Sequence, residues 1–219
     1  MMSHIISILK RGQSMNSIKS KESTPYTLGI DISEHNGSIN WNAVTQAGVH
    51  FAIVRLGYGQ GHLDSLFYEH VNTALAAGIA IGIYYYSYAT NCDLAIKEAL
   101  YVIQILHDCG LTPSKLPLGV WYDLEDPIIL TISETPARRK QEITNIASTF
   151  VNQLWQAGYS FTGIYANLDW WSNNLDVSQL SCPQWCAQYN NTCDWPTAHI
   201  WQYTNALTIN NRQFDGNLL

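Results

Sequence analysis

Charge is scarce in this sequence. Asp, Glu, Lys and Arg supply only 13% of 219 residues, and 11 bases against 17 acids leave a net charge of −6. A chain with no basic excess has little with which to displace phosphate counterions, so a nucleic-acid partner is not expected. No apolar run approaches the ~20 residues that cross a bilayer, and no membrane partner is expected either. The five cysteines are an odd number, which rules out a complete intramolecular disulfide framework. Cys182, Cys186 and Cys193 cluster, but their C-x3-C-x6-C spacing fits no common zinc motif. They read as free or partly paired thiols of a protein folded in a reducing compartment. The seven histidines form neither H-x-H on a strand nor H-E-x-x-H on a helix, so no metal and no cofactor are expected. Gly57-Tyr58-Gly59-Gln60-Gly61 lacks the Lys-Ser/Thr of a phosphate loop and reads as a flexible strand-to-helix connection. No serine stands in an elbow motif, which removes the serine-hydrolase chemistry.

What is present is apolar and aromatic. Hydrophobic residues make up 47% of the chain, enough for a sizeable core and too much for wholesale disorder. Eight Trp and thirteen Tyr stand against five Phe. Tyr and Trp join a flat apolar face to a polar handle, which suits sugar-binding clefts, although large cores use them too.

Residues 1–25 read as a disordered tail. Their one apolar stretch, 5–9, is too short for a secretory signal core and is followed, not preceded, by Lys10 and Arg11. From Tyr26 onward, runs rich in Ile, Val, Tyr and Phe at 28–33, 51–58, 79–89, 119–125 and 161–167 read as strands. Helical patterns lie between them. Asn40 caps a short helix with Trp41, Val44 and Ala47 inward. Asp64 caps a second, with Phe67, Val71, Ala74 and Leu75 inward, and Asp93 begins a third. Thr135-Pro136 opens a fourth, and a short fifth covers 169–175. Segments 183–189, 199–205 and 215–219 then read as three strands without helices. The order predicts one α/β domain over 26–219: an irregular TIM-like barrel, (β/α)5 followed by three strands, eight in total. Short connections near closure predict antiparallel pairing there.

In such a barrel chemistry sits at the C-terminal mouth. Asp31 lies late in the first strand, Asp123 and Glu125 close the fourth, and Asp215 opens the last segment. Side chains two apart on a strand share a face, so Asp123 and Glu125 enter one pocket together, while Tyr122 and Leu124 face the helices. Closure of the ring brings Asp31 and Asp215 side by side. Crowded carboxyls cannot all ionise cheaply, so one keeps its proton near neutrality while others stay charged. Glycoside hydrolysis needs such an arrangement: an acid for the leaving oxygen and negative charge beside an oxocarbenium-like transition state. A lone strand-end acid would ordinarily be a surface group. Tyr84, Tyr86 and Tyr88 share one face of the third strand, with Tyr165, Trp185 and Tyr189 at equivalent later positions. Those deep in the barrel must be core; Tyr86, Tyr165, Trp185 and Gln202 are the candidates for substrate contact. Trp170 and Trp171 either wall the cleft or pack the fifth helix, and His35 reads as a loop residue.

Gly29-Ile30-Asp31-Ile32-Ser33, followed by His35-Asn36-Gly37, Ile39 and Trp41, resembles the opening signature of the family 25 glycoside hydrolases, which are muramidases. The likeness continues through residues 51–55, Gly78, residues 82–84 and Asp123-Leu124-Glu125. It closes with Trp185-x-Ala187-x-Tyr189, residues 200–203 and Asp215-x-Asn217. The resemblance implies hydrolysis of the β-1,4 bond between N-acetylmuramic acid and N-acetylglucosamine in bacterial cell-wall peptidoglycan. It assigns Glu125 as general acid, Asp123 as transition-state stabiliser, and Asp31 and Asp215 as positioning groups, in a monomer without cofactor. With no recognisable signal peptide, such an enzyme would be made in the cytoplasm and reach the wall after release or non-standard export. Two departures stand out. Tyr85 replaces a His common near the mouth, and residues 209–214 lack the glycines usual before the closing Asp. They motivate an alternative, a carbohydrate-binding barrel without turnover; a hydrolase of another N-acetylhexosamine polymer is a third reading.

Overall fold

The computed structural model describes residues 26–219, so the expected tail over 1–25 lies outside the described residues. Alternating strand and helix runs build a closed ring. Strands β1 (Leu28–Ile32), β2 (Phe51–Tyr58), β3 (His62–Leu63), β4 (Ala80–Tyr86), β5 (Val120–Asp123), β6 (Thr162–Asn167), β7 (Gln184–Ala187), β8 (Ile200–Ile209) and β9 (Arg212–Leu218) form one sheet. From β1 through β2, β4, β5, β6, β7 and β8 all neighbours are parallel. β9 is antiparallel to both β8 and β1 and closes the barrel. β3, a two-residue strand paired with the end of β2, is an addition to the eight expected.

The expected antiparallel closure holds for β9 but not for β7–β8. Residues 188–199 supply the roughly dozen residues that a parallel crossover needs, even without a helix. Between β8 and β9, Asn210 and Asn211 take φ values of 50° and 61°. Two consecutive left-handed residues make the hairpin turn whose twist matches the flanking strands, so asparagines do the work of the missing glycines.

Helices α1 (Trp41–Gln46), α2 (Phe67–Ala76), α3 (Cys92–Asp108), α4 (Pro136–Gln156) and α5 (Leu168–Asn173) surround the ring. Asn40, Asn91 and Asn167 cap α1, α3 and α5, each accepting a backbone N–H from three residues ahead at 3.2, 3.0 and 3.0 Å. The third helix thus starts from Asn91 rather than Asp93, and Asp93 lies in its first turn, where the helix dipole favours a carboxylate. Two residues expected inward are exposed. Ala47 falls past the end of α1, and Leu75 sits round the helix from the buried Phe67–Val71–Ala74 stripe.

Two cores result. Between ring and helices pack Ile32, Val54, Ile83, Tyr122 and Ile164 with Phe67, Val102, Ala147 and Phe150. Tyr122 stacks on Phe150 at 3.9 Å and 7°, so it does face the helices. Inside the ring, a second cluster of Phe51, Ile53, Leu118, Trp121, Tyr165, Trp185 and Ile200 plugs the barrel. Trp185 is its hub, with Trp121, Tyr165 and Tyr84 rings at 5.8, 4.6 and 6.2 Å. Gly29 admits the plug: a Cβ there would lie 2.2 Å from the Phe51 ring. Part of the aromatic excess is therefore structural. Trp170 and Trp171 are buried in the helix layer and not in the cleft.

Candidate active site

Above the aromatic plug, at the end where the parallel strands finish, lies a cavity of about 650 Å³. Asp31, Asp123, Glu125 and Asp215 all line it, as do Tyr86, Tyr165, Trp185 and Gln202. Asp123 is the last residue of β5, paired with Tyr86 on one side and Tyr165 on the other. Glu125 lies two residues beyond, on the same face. Asp31 of β1 and Asp215 of β9 are direct cross-strand partners. Tyr84, Tyr88, Tyr189 and His35 complete much of the wall, so His35 reaches the cleft rather than remaining in its loop.

Asp31 is buried, and its Oδ2 accepts from Asn217 Nδ2 at 2.7 Å and Gln202 Nε2 at 2.9 Å. Each amide is locked from behind. The Trp185 indole N–H, which can only donate, gives its hydrogen to Asn217 Oδ1 at 2.8 Å. Tyr165 and Tyr189 donate to Gln202 Oε1 at 3.0 and 3.2 Å. The Asp-x-Asn spacing on β9 puts Asp215 and Asn217 on one face and is the sequence signal for the place of Asn217 here.

The electrostatics follow from burial and crowding. Burial, then the neighbouring Asp215 charge, push the Asp31 carboxyl up to about 8, against the two amide hydrogen bonds. Burial first, then Glu125 and Asp31, hold Asp123 well above the carboxylate range. Asp123 Oδ1 is buried and meets no donor among the described residues. Burial raises Glu125 too; the Tyr165 hydroxyl beside it opposes this, while the charges of Asp215 and Asp126 add to it. Burial likewise raises Asp215.

Sequence reasoning passed over the one guanidinium that the described residues bring to this acid wall. Arg55 lies mid-strand in an otherwise apolar β2 and is buried. Its Nε donates to Asp64 at 2.8 Å and its Nη2 to Glu34 at 2.9 Å. The visible signal was a charge inside an apolar strand, which demands a partner. Glu34 in turn accepts from the Ser65 hydroxyl at 2.7 Å, which fixes the loop after β1 to the start of α2.

Tyr85 does not belong to the mouth. It is fully buried on the helix side of β4, its hydroxyl donating to Gly59 O at 2.6 Å and accepting from Gly61 N at 3.2 Å. Tyr85 therefore packs the β2–β3 turn and makes no cleft contact. Residues 57–61 are correspondingly tied down as a hairpin, not a free loop. All five cysteines are free thiols. Among the described residues, no group of three His, Cys, Asp or Glu is arranged to hold a metal ion, and no helix is long and apolar enough to cross a membrane.

Fold and site together define an α/β barrel with a carboxylate-lined, aromatic-walled mouth, the architecture of a barrel glycosidase. The chain belongs to the glycosyl hydrolases family 25, whose model matches residues 30–212. It is 26% identical over 189 residues to Lysozyme M1 of Streptomyces globisporus, covering 80% of this chain and 61% of that protein. It is 24% identical to the autolytic lysozyme of Clostridium acetobutylicum, covering 74% of this chain and 44% of that one. Among solved structures, the modular autolysin LytC of Streptococcus pneumoniae superposes with a TM-score of 0.75 at 26% identity, over 88% of this chain and 46% of LytC. The chain thus spans about half the length of these relatives, and somewhat more of Lysozyme M1.

Proposed function

We propose that this protein is a peptidoglycan muramidase and that residues 26–219 are its catalytic barrel. Convergence of Asp31, Asp123, Glu125 and Asp215 on one cavity carries this reading. The names of its relatives, lysozymes and an autolysin, support it, and LytC has also been solved with a synthetic peptidoglycan ligand. Glu125 acts as general acid: burial favours its protonated form, which supplies the proton to the oxygen leaving from the β-1,4 bond between N-acetylmuramic acid and N-acetylglucosamine. Asp123, with an oxygen that meets no donor among the described residues, faces the sugar; in its ionised form it stabilises the oxocarbenium-like transition state or the 2-acetamido group that assists it. Asp31 and Asp215 position substrate and shape the field. Tyr86, Tyr165 and Gln202 contact the sugar, and Trp185 is the floor beneath it. The reading of a binding barrel without turnover loses its motive once Tyr85 lies outside the cleft and an Asn-Asn turn seats Asp215 opposite Asp31.

Digestion of purified peptidoglycan tests the proposal. The wild-type chain should lower the turbidity of wall fragments and leave muramic acid at the new reducing ends, identified by mass spectrometry. Glu125→Gln should lose about two to four orders of magnitude of turnover with the fold intact. Full activity in that variant would refute the assignment of the acid, and N-acetylglucosamine at the new reducing ends would refute the bond.

A further inference from the structure

Two features of the molecule take no part in bond cleavage: a fully buried carboxylate on α3, and an exposed tyrosine on the cleft wall. Glu98 has no accessible surface. Its carboxylate accepts from Gln60 Nε2 (3.0 Å), Ser87 Oγ (2.9 Å), Tyr88 N (3.1 Å) and the Tyr122 hydroxyl (2.6 Å). Four donors from the β2–β3 turn, the chain beyond β4, and β5 therefore meet on one group, which fixes the backbone of Tyr88. Burying a charge is tolerable only with such complete satisfaction, so the network specifies one geometry for this rim.

What it fixes is a flat apolar surface. The Tyr88 ring lies directly on Gly59, where a Cβ would come within 2.7 Å of it. Gly59, at φ +57°, permits both the turn and this approach. Tyr86 and Tyr58 meet the Tyr88 ring at 5.5 Å and 86° and at 6.3 Å and 62°. Seated on glycine and flanked by two aromatic rings, Tyr88 is still 41% exposed and lines the cavity. The rim's position is set by register: Asp123, Tyr86 and Tyr58 are successive partners across β5, β4 and β2. Two strand spacings place Tyr58 about 10 Å round the mouth from Asp123. The cavity wall carries five carboxylates, and Arg55 is already held by Glu34 and Asp64. An anionic partner is disfavoured there, whereas an uncharged ring stacks without a counter-charge.

We propose that the open face of Tyr88 is a pyranose-stacking platform for a sugar unit at least one ring removed from the cleaved bond, and that Glu98 is the positioning residue that holds it. The inference rests on the carbohydrate-hydrolase reading and names a subsite of that same cleft. Glycan strands of graded length, freed of stem peptides, are the probe. Tyr88→Ala should raise KM roughly five- to tenfold on long strands, through lost stacking, and progressively less as strands shorten. Tyr88→Phe keeps the ring and should restore the wild-type KM. Glu98→Gln should raise KM on its own but add nothing in the Tyr88→Ala background, because its effect passes through Tyr88. Should Glu98→Gln fail to fold, the two Tyr88 variants decide. Equal KM for wild type and Tyr88→Ala at every length, or a Phe variant as impaired as Ala, overturns the platform while leaving the muramidase reading intact. If the wild type cleaves no glycan, that reading fails separately, and calorimetric titration of the same strands judges the platform. Weaker binding by Tyr88→Ala then upholds it, and equal or absent binding overturns it.

Discussion

Asp31 and Asp215, from opposite ends of the folded chain, are direct partners across the antiparallel β1–β9 pair. Cross-strand Cβ atoms stand roughly 4.5–5.5 Å apart, so the two carboxyls crowd one buried spot. Their mutual repulsion, added to burial, explains why Asp31 gives up its proton so late.

Stability should record this crowding. The folded-state pKa of Asp31 is raised from 3.8 to about 8, so its contribution is fully present below pH 3.8 and is lost as pH rises toward 8. Asp123 and Asp215 shift in the same direction. Thermal unfolding followed across pH 4 to 8 should show a Tm that declines toward the alkaline end, and a shallower decline in Asp31→Asn. An equal or steeper decline in that variant would contradict the assigned burial.

The pH dependence of turnover should move with Asp215. Its negative charge helps to raise Glu125, the proposed acid, and sets part of the alkaline limit of activity. Removing that charge in Asp215→Asn eases ionisation of Glu125. The alkaline limb of kcat/KM should therefore shift to lower pH, whatever happens to its height. A shift to higher pH, or none, would mean that another group governs that limb.

Arg55 should resist even conservative replacement. Its guanidinium uses two different nitrogens for Asp64 and Glu34, a fork that a single ammonium does not reproduce. Arg55→Met leaves the buried Asp64 without its cation and should cost about 3–5 kcal/mol in urea unfolding. Arg55→Lys should fall between that variant and the wild type. If Arg55→Lys matches the wild type, the fork geometry is irrelevant.

Much of the architecture was legible along the chain because its signals are local. The Asn40 cap of α1, Pro136 at the start of α4, and apolar runs buried on both faces each act within a few residues. The D-x-E spacing likewise placed Asp123 and Glu125 on one face, since strand alternation needs no long-range information. Local signals misled where a neighbour in space decided the outcome. Strand position alone puts Tyr85 near the mouth, whereas its hydroxyl belongs to the β2–β3 turn. β7 and β8 were expected to pair antiparallel, although 188–199 is long enough to carry the chain back.

Taken alone, the sequence determined the order of strands and helices, the acids at strand ends and the aromatic surplus, because each follows from short-range periodicity and composition. Only the tertiary structure decided that Asp31 meets Asp215, that Asn217 and Gln202 hold Asp31 between them, that Arg55 sits in an acid wall, and that Trp185 plugs the barrel. Those relations exist only once the ring has closed. Closure sets the register between β1 and β9, and a slip of β9 by one residue would turn Asp215 and Asn217 to the other face.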